Sequence, residues 1–197
     1  MTPEKELLFL ALGGSGEIGM NLNLYGHRGS WLMVDCGVTF GDDTTPGVEL
    51  ILPDPEWIVE RRKDLVGIVA THAHEDHIGA IPYLWPQLGC PVYATPFTAA
   101  VLRRKLQEAD LAKRVEIRPI PVSGTFRIAP FDLELIEKRT RRTRWSVVCA
   151  HRLSPLPLSV PRSARLESLT RFAAATASSV VLSSRASIAQ YQRTSPS

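Results

Sequence analysis

Between Thr71 and Ala80 the chain reads THAHEDHIGA, which places His72, His74, Asp76 and His77 directly behind the apolar run Val66-Gly67-Ile68-Val69-Ala70. Histidines and carboxylates are costly at the end of a buried strand unless something binds them, because burial penalises charged and unpaired groups. On an extended strand end, side chains two apart point to the same side, so His72 and His74 can converge on one ion. Asp76 and His77, just past the turn, can face a second ion a few ångströms away. Imidazole with carboxylate suits Zn²⁺, and a catalytic zinc keeps one position for water. Two such ions about 3.5–4 Å apart can share a hydroxide and clamp an in-line displacement at phosphorus. The pattern therefore predicts His72, His74, Asp76 and His77 as metal ligands, with a metal-bound hydroxide rather than a side chain as the attacking group. Three of the chain's 5 histidines fall at this spacing, which argues against a surface loop that is polar by chance.

Other motifs carry less. Asp35 follows an apolar strand and precedes Cys36-Gly37. A carboxylate there either caps a turn or hydrogen-bonds a ligating histidine and fixes its tautomer, and the sequence leaves both open. Gly14-x-Gly16-x-x-Gly19 matches the form of a dinucleotide fingerprint, but that motif needs a helix directly after the glycines. Here Asn21–Tyr25 alternates with period two, so the glycines read as a tight turn between strands. His27 falls in the expected turn Gly26–Gly29 and is expected to be solvated. Cys149-Ala150-His151 offers soft ligand types and Arg139–Arg144 a basic run, and both lie in a segment of altered composition.

The elements that must position the cluster follow from short apolar runs punctuated by glycine and proline. Leu7–Leu12, Asn21–Tyr25 and Trp31–Asp35 read as strands, Pro55–Arg62 as a short amphipathic helix, and Val66–Thr71 as the buried strand ending at the histidines. Ile78–Leu88 reads as a helix with Pro82 near its first turn. Pro91–Ala94 is a strand, and Thr95–Ala109 a helix opened by Thr95 as N-cap. Val115–Pro119, Thr125–Ile128 and Phe131–Ile136 complete the region as strands. Strands with intercalated helices predict an α/β layered domain.

The net charge of +3 hides an asymmetry. Residues 1–137 hold 12 Lys+Arg against 19 Asp+Glu, whereas residues 138–197 hold 11 Lys+Arg against the single acid Glu167. All 13 glycines precede residue 138, and the remainder is rich in Arg, Ser, Ala and Pro with no strand–turn rhythm. Two domains are expected on this basis: 1–137 as the layered domain, and 138–197 as a basic tail that is disordered or translated out of its original frame. The 3 cysteines (Cys36, Cys90, Cys149) fit no paired spacing, so a reducing compartment is expected. The apolar stretch at the N-terminus is too short for a signal core or a membrane span, so a cytoplasmic protein without membrane attachment is expected.

Five segments together carry a family resemblance: GGSGEIGMNL (Gly13–Leu22), WLMVDCGVTF (Trp31–Phe40), GVELILPD (Gly47–Asp54), THAHEDHIGA (Thr71–Ala80) and PVYATPFTAA (Pro91–Ala100). Over about residues 5–136 the chain resembles the N-terminal part of bacterial ribonuclease J, a metallo-β-lactamase-fold nuclease with a β-CASP insertion. The resemblance implies the layered αββα fold, here its N-terminal part only. It also implies zinc-dependent hydrolysis of RNA phosphodiesters, endonucleolytic and 5′–3′ exonucleolytic, in RNA processing and decay. Two Zn²⁺ ions are implied, with Mn²⁺ or Mg²⁺ as alternatives, and RNA as partner. His72, His74, Asp76 and His77 carry over as ligands, with Asp35 in support. The family's later HSIP-like histidine and TGD-like aspartate have no counterpart here, since Glu137-Lys138-Arg139-Thr140 stands where the first should begin. By the same resemblance, the region through which intact members form homo-oligomers is expected to have no counterpart in these residues. Each ion would keep two protein ligands against the usual three, so the chain alone is expected to be weak or inactive. A domain cut short in this way is further expected to leave a sheet face uncovered. The rival readings are a non-catalytic metal- or RNA-binding fragment, and another hydrolase of the same fold acting on thioesters or lactams.

Overall fold

Residues 7–138, 144–149 and 189–190 are described by the structure, a computed structural model. The chain opens with an antiparallel meander of β1 (Leu8–Gly13), β2 (Leu22–His27) and β3 (Ser30–Val34). A small hairpin of β4 (Thr39–Phe40) and β5 (Leu50–Ile51), helix α1 (Glu56–Val59) and a 3₁₀ turn at Arg62–Asp64 lead to β6 (Leu65–Ala70), which pairs parallel to β3. Helices α2 (Glu75–Ile78) and α3 (Ile81–Leu88) cross to β7 (Val92–Ala94), and α4 (Pro96–Glu108) crosses to β8 (Ile117–Pro119), both strands again parallel to their neighbours. A second sheet holds β9 (Gly124–Ile128), β10 (Phe131–Lys138) and β11 (Arg144–Cys149), and β12 (Ala189–Gln190) pairs parallel to β1.

Alternation along each central strand serves two cores. Leu22, Leu24, Trp31, Met33, Ile68 and Ala70 face the helices, meeting Ile78, Leu84, Leu102 and Leu106. Tyr25, Leu32, Val34 and Val69 face the other way, onto Ile128, Phe131, Leu133 and Leu135 of the second sheet. The result is a helix–sheet–sheet stack, in which β2, β3 and β6 are buried along nearly their whole length because both faces are covered. Both faces of the first sheet are thus covered among the described residues, one of them by the second layer that the sequence reading did not expect. β10 turns Phe131, Leu133 and Leu135 inward and leaves half-buried Asp132 and Glu134 on the outer side.

Several local expectations are corrected. The β2–β3 turn is two residues, Arg28 (φ 47°) and Gly29 (φ 79°), not four. Positive φ at both positions matches the right-handed twist of the hairpin. Gly26 and His27 therefore continue the strand, paired with Trp31 and Ser30. His27 is fully buried rather than solvated, with its ring edge-on to Phe131 at 6.4 Å. The helix expected over Ile78–Leu88 starts later, as α3, while Ile78 closes the separate turn α2. The Ala80 amide donates to Cys36 O at 3.0 Å instead of continuing α2, and Pro82 has no N–H to do so. β11 lies where no strand was expected. Its Trp-Ser-Val-Val stretch suits a strand, and it runs antiparallel along β10 from Leu133↔Cys149 to Lys138↔Arg144. Arg139–Thr143, Ala150-His151 and most of the expected tail lie outside the described residues. Helix α4 does begin after Thr95, but the Thr95 hydroxyl bonds Thr98 Oγ1 at 3.2 Å instead of a backbone N–H.

At Gly29 an added Cβ would meet nothing within 4 Å, so only backbone conformation disfavours a side chain. Gly29→Ala is expected to destabilise the domain by about 1 kcal/mol. The check is a urea midpoint that falls while the slope of the transition stays unchanged.

Candidate metal centre

Parallel pairing of β3, β6 and β7 brings their C-terminal ends to one edge of the first sheet, the usual position of sites in open α/β sheets. The chain after β6 carries the histidine cluster there. The chain after β3 bends sharply at Asp35, whose φ of 64° lies in the left-handed region that aspartate tolerates better than most residues. This bend aims a carboxylate that is 2% exposed across at β6. Asp35 Oδ1 accepts from the Thr71 amide at 2.8 Å, and Oδ2 accepts from the Thr71 hydroxyl at 3.0 Å and from His77 Nδ1 at 2.7 Å. Of the two roles left open by the sequence, support of a histidine is the one the geometry displays.

Thr71 sets a second tautomer. Its one hydroxyl proton goes to Asp35, so its oxygen accepts from His72 Nδ1 at 2.9 Å, leaving Nε2 of His72 as a lone-pair donor. That nitrogen lies 3.1 Å from His74 Nδ1. On the other side of the cluster, His77 Nε2 lies 3.2 Å from Asp76 Oδ2. Two ligand atoms on one tetrahedral zinc at the usual bond lengths stand about 3.3 Å apart, so each pair has the width of a single ion. The His72 and His77 rings are 3.9 Å apart between centroids, which places the two pairs side by side. The spacing within each pair is thus compatible with two donors to one divalent ion. Among the described residues, no group of three or more His, Cys, Asp or Glu side chains is arranged to hold one ion.

Electrostatics differ sharply between the two histidines. Burial, followed by the charge of His77, pulls His72 down to about 4, so it is neutral at physiological pH. Burial also pulls His77 down, but the Asp35 charge and hydrogen bond, with Asp76 adding to them, outweigh it and push His77 up to about 10. The hydrogen bond from His77 in turn holds Asp76 below its ordinary value. Cys36 and Cys90 are buried free thiols, and burial raises both, Cys90 to about 12. Neither has the thiolate character of a ligand or nucleophile at neutral pH.

The turn bearing Asp76 and His77 is a single helical turn and cannot hold itself. Backbone from the first strands fixes it. Asn21 N–H and Nδ2 both donate to Asp76 O at 3.1 and 2.9 Å, Cys36 N–H donates to His77 O at 2.8 Å, and Val38 N–H donates to Glu75 O at 3.0 Å. Thr71 and Asn21 are the contributors that sequence reasoning missed. Thr71 is adjacent to the motif and of a type that bonds imidazole, which was a usable signal. Asn21 is 55 positions away from Asp76 and gave none. The glycine-rich loop is followed by strand β2 and not by a helix, so it does not form a dinucleotide site.

Helix–sheet–sheet layering with His72, His74, Asp76 and His77 gathered at the strand ends defines a class of fold, and the sequence comparison agrees. The metallo-beta-lactamase superfamily matches residues 20–159, and the chain belongs to that superfamily. Within it, the chain is similar to ribonuclease J of Sinorhizobium meliloti, 48% identical over 141 residues that make up 69% of this chain and 25% of that protein. It is also similar to ribonuclease J of Mycolicibacterium smegmatis, 49% identical over 109 residues, or 54% of this chain and 20% of that one. These relatives bear out the resemblance read from the sequence, and the chain spans about a quarter or less of their length. Among solved structures, the metallo-beta-lactamase fold protein YhfI from Bacillus subtilis is similar at 14% identity and a TM-score of 0.49, covering 72% of this chain and 60% of that one. No helix among the described residues is long and apolar enough to cross a membrane.

Proposed function

We propose that the chain forms the metal-binding part of an RNA-hydrolysing centre of the ribonuclease J type. The observation that carries this reading is the pair of ion-width donor sets, His72 Nε2 with His74 Nδ1 and Asp76 Oδ2 with His77 Nε2, at 3.1 and 3.2 Å. These atoms would hold two divalent ions, Zn²⁺ or else Mn²⁺ or Mg²⁺. When bound, such ions polarise a phosphodiester and make water nucleophilic at neutral pH. The chain's own residues orient the donors. Asp35 fixes the His77 ring through Nδ1, Thr71 leaves His72 Nε2 unprotonated, and Asn21 holds the Asp76 backbone in place. The 48% identity to a ribonuclease J over 141 residues supports RNA as the substrate.

Two protein donors per ion fall short of the three usual at a catalytic zinc, so RNA cleavage by this chain alone should be weak. The same count favours a second reading, a metal-binding chain without catalysis. Both are tested on one preparation. The purified chain is loaded with Zn²⁺, and its metal content is measured by elemental mass spectrometry. It is then incubated with 5′-monophosphorylated RNA and, separately, with a chromogenic lactam. Two bound equivalents, with RNA cleavage above a chelated control, support the nuclease. Bound metal with intact RNA supports the second reading. No bound metal, or turnover of the lactam alone, overturns the proposal.

A further inference from the structure

We propose that Lys105, on α4, is a positioning residue for the metal-donor turn, an inference that rests on the reading of that turn as a metal centre. Within THAHEDHIGA, Glu75 is the charged residue whose carboxylate belongs to neither donor pair. Its Oε1 lies 2.5 Å from Lys105 Nζ. Lys105 stands between Leu102 and Leu106 on α4, both fully buried in the helix-side core, so the base of its side chain is fixed by packing. Its side chain is 27% exposed against 44% for Glu75, so the pair is neither free in water nor sealed from it.

The mechanics of α2 make this contact matter. A helix of four residues has no independent stability, so its orientation is set from outside. Asn21, Cys36 and Val38 hold its backbone from the strand side. Lys105 holds it from the helix side, through the residue that precedes Asp76 and His77. Glu75 is also packed against the end of α2, since a Cβ on Gly79 would stand 2.7 Å from Glu75 Oε2, and the Gly79 amide donates to Glu75 O at 2.8 Å. Pulling Glu75 toward α4 therefore fixes the rotation of the turn and the direction in which Asp76 and His77 project. A half-exposed ion pair contributes little to global stability. Its effect should appear in the affinity of donors that must stand within a few tenths of an ångström of their places.

The test is Zn²⁺ competition against a chromophoric chelator on the intact chain, with amide hydrogen exchange of the metal-free chain alongside. Lys105→Met and Glu75→Gln should each weaken zinc binding by about 5- to 10-fold. The double variant should be no weaker than either single one, because both remove the same contact. Lys105→Arg, which keeps the charge, should bind within about twofold of the parent. In the metal-free chain, the Ile78 and Gly79 amides, bonded to His74 O and Glu75 O, should exchange faster in Lys105→Met and not in Lys105→Arg. Parent-like zinc affinity in Lys105→Met, or equal losses in Lys105→Met and Lys105→Arg, would overturn the assignment. If the parent itself binds no zinc, the metal-centre reading fails, and unchanged exchange in Lys105→Met then overturns the clamp separately. Should Lys105→Met not fold, Glu75→Gln on the opposite side of the same contact supplies both readouts.

Discussion

Gly37→Ala is expected to weaken metal binding by about 100-fold or more and to destabilise the domain by about 3 kcal/mol. A Cβ at Gly37 would overlap the carbonyl carbon and oxygen of Asp76 and stand 2.5 Å from His77 N. All of these are backbone atoms of the donor turn, so no side chain can swing aside to make room. The contact is this close because three consecutive amides are engaged at once: Cys36 N–H to His77 O, Gly37 N–H to Asn21 O, and Val38 N–H to Glu75 O. Overpacking of a fixed core costs about 1–3 kcal/mol even where side chains can adjust, and here the backbone itself must move. A shift of the turn by an ångström would also spoil both donor pairs, for a loss of zinc affinity of about 100-fold or more. Urea unfolding and chelator competition read the two effects independently. A variant that melts and binds zinc like the parent would mean that the turn is not seated against Gly37.

The second large effect is in pH. In the metal-free chain His77 is held up at about 10 and so carries both ring protons at neutral pH, giving one to Asp35 and one to Asp76. A metal taking His77 Nε2 must displace the second proton. The metal-free form thus binds one more proton than the loaded form, and apparent affinity must rise with pH. The expected slope is about tenfold per unit, or about 100-fold between pH 6 and pH 8. His72 adds nothing to that slope, because at about 4 its proton is already gone. Calorimetric titration in two buffers of different ionisation enthalpy should report about one proton released per ion at this position. Asp35→Asn removes the charge that outweighs burial at His77 and should flatten the dependence. A flat profile in the parent would mean that His77 is already neutral. The sign for folding is the opposite. A histidine raised from 6.5 to about 10 stabilises the metal-free fold fully below its ordinary value, and that contribution is lost as pH rises through about 10. The metal-free chain should therefore melt at a lower temperature at pH 9.5 than at pH 7.

Much of this was legible in the residues themselves. Period-two alternation located β2, the hairpin reading located β3, and the apolar run before Thr71 located β6. The spacing of His72 and His74 just past the end of β6 suggested that the two share a side, because that depends only on local backbone geometry. Local geometry does not say which element lies opposite. Whether Asp35 caps a turn or holds His77 depended on a bend at the end of β3 and on the pairing of β3 with β6. The burial of His27 depended on a second sheet whose Phe131 lies more than a hundred positions further along the chain. Asn21, Gly37 and Lys105 meet the donor turn only because the layers stack. The sequence alone therefore indicated the kind of chemistry to expect and the side chains proposed to carry it. The tertiary structure decided their tautomers, their charge and the supports that hold them, since each of these depends on atoms distant in the chain and close in space.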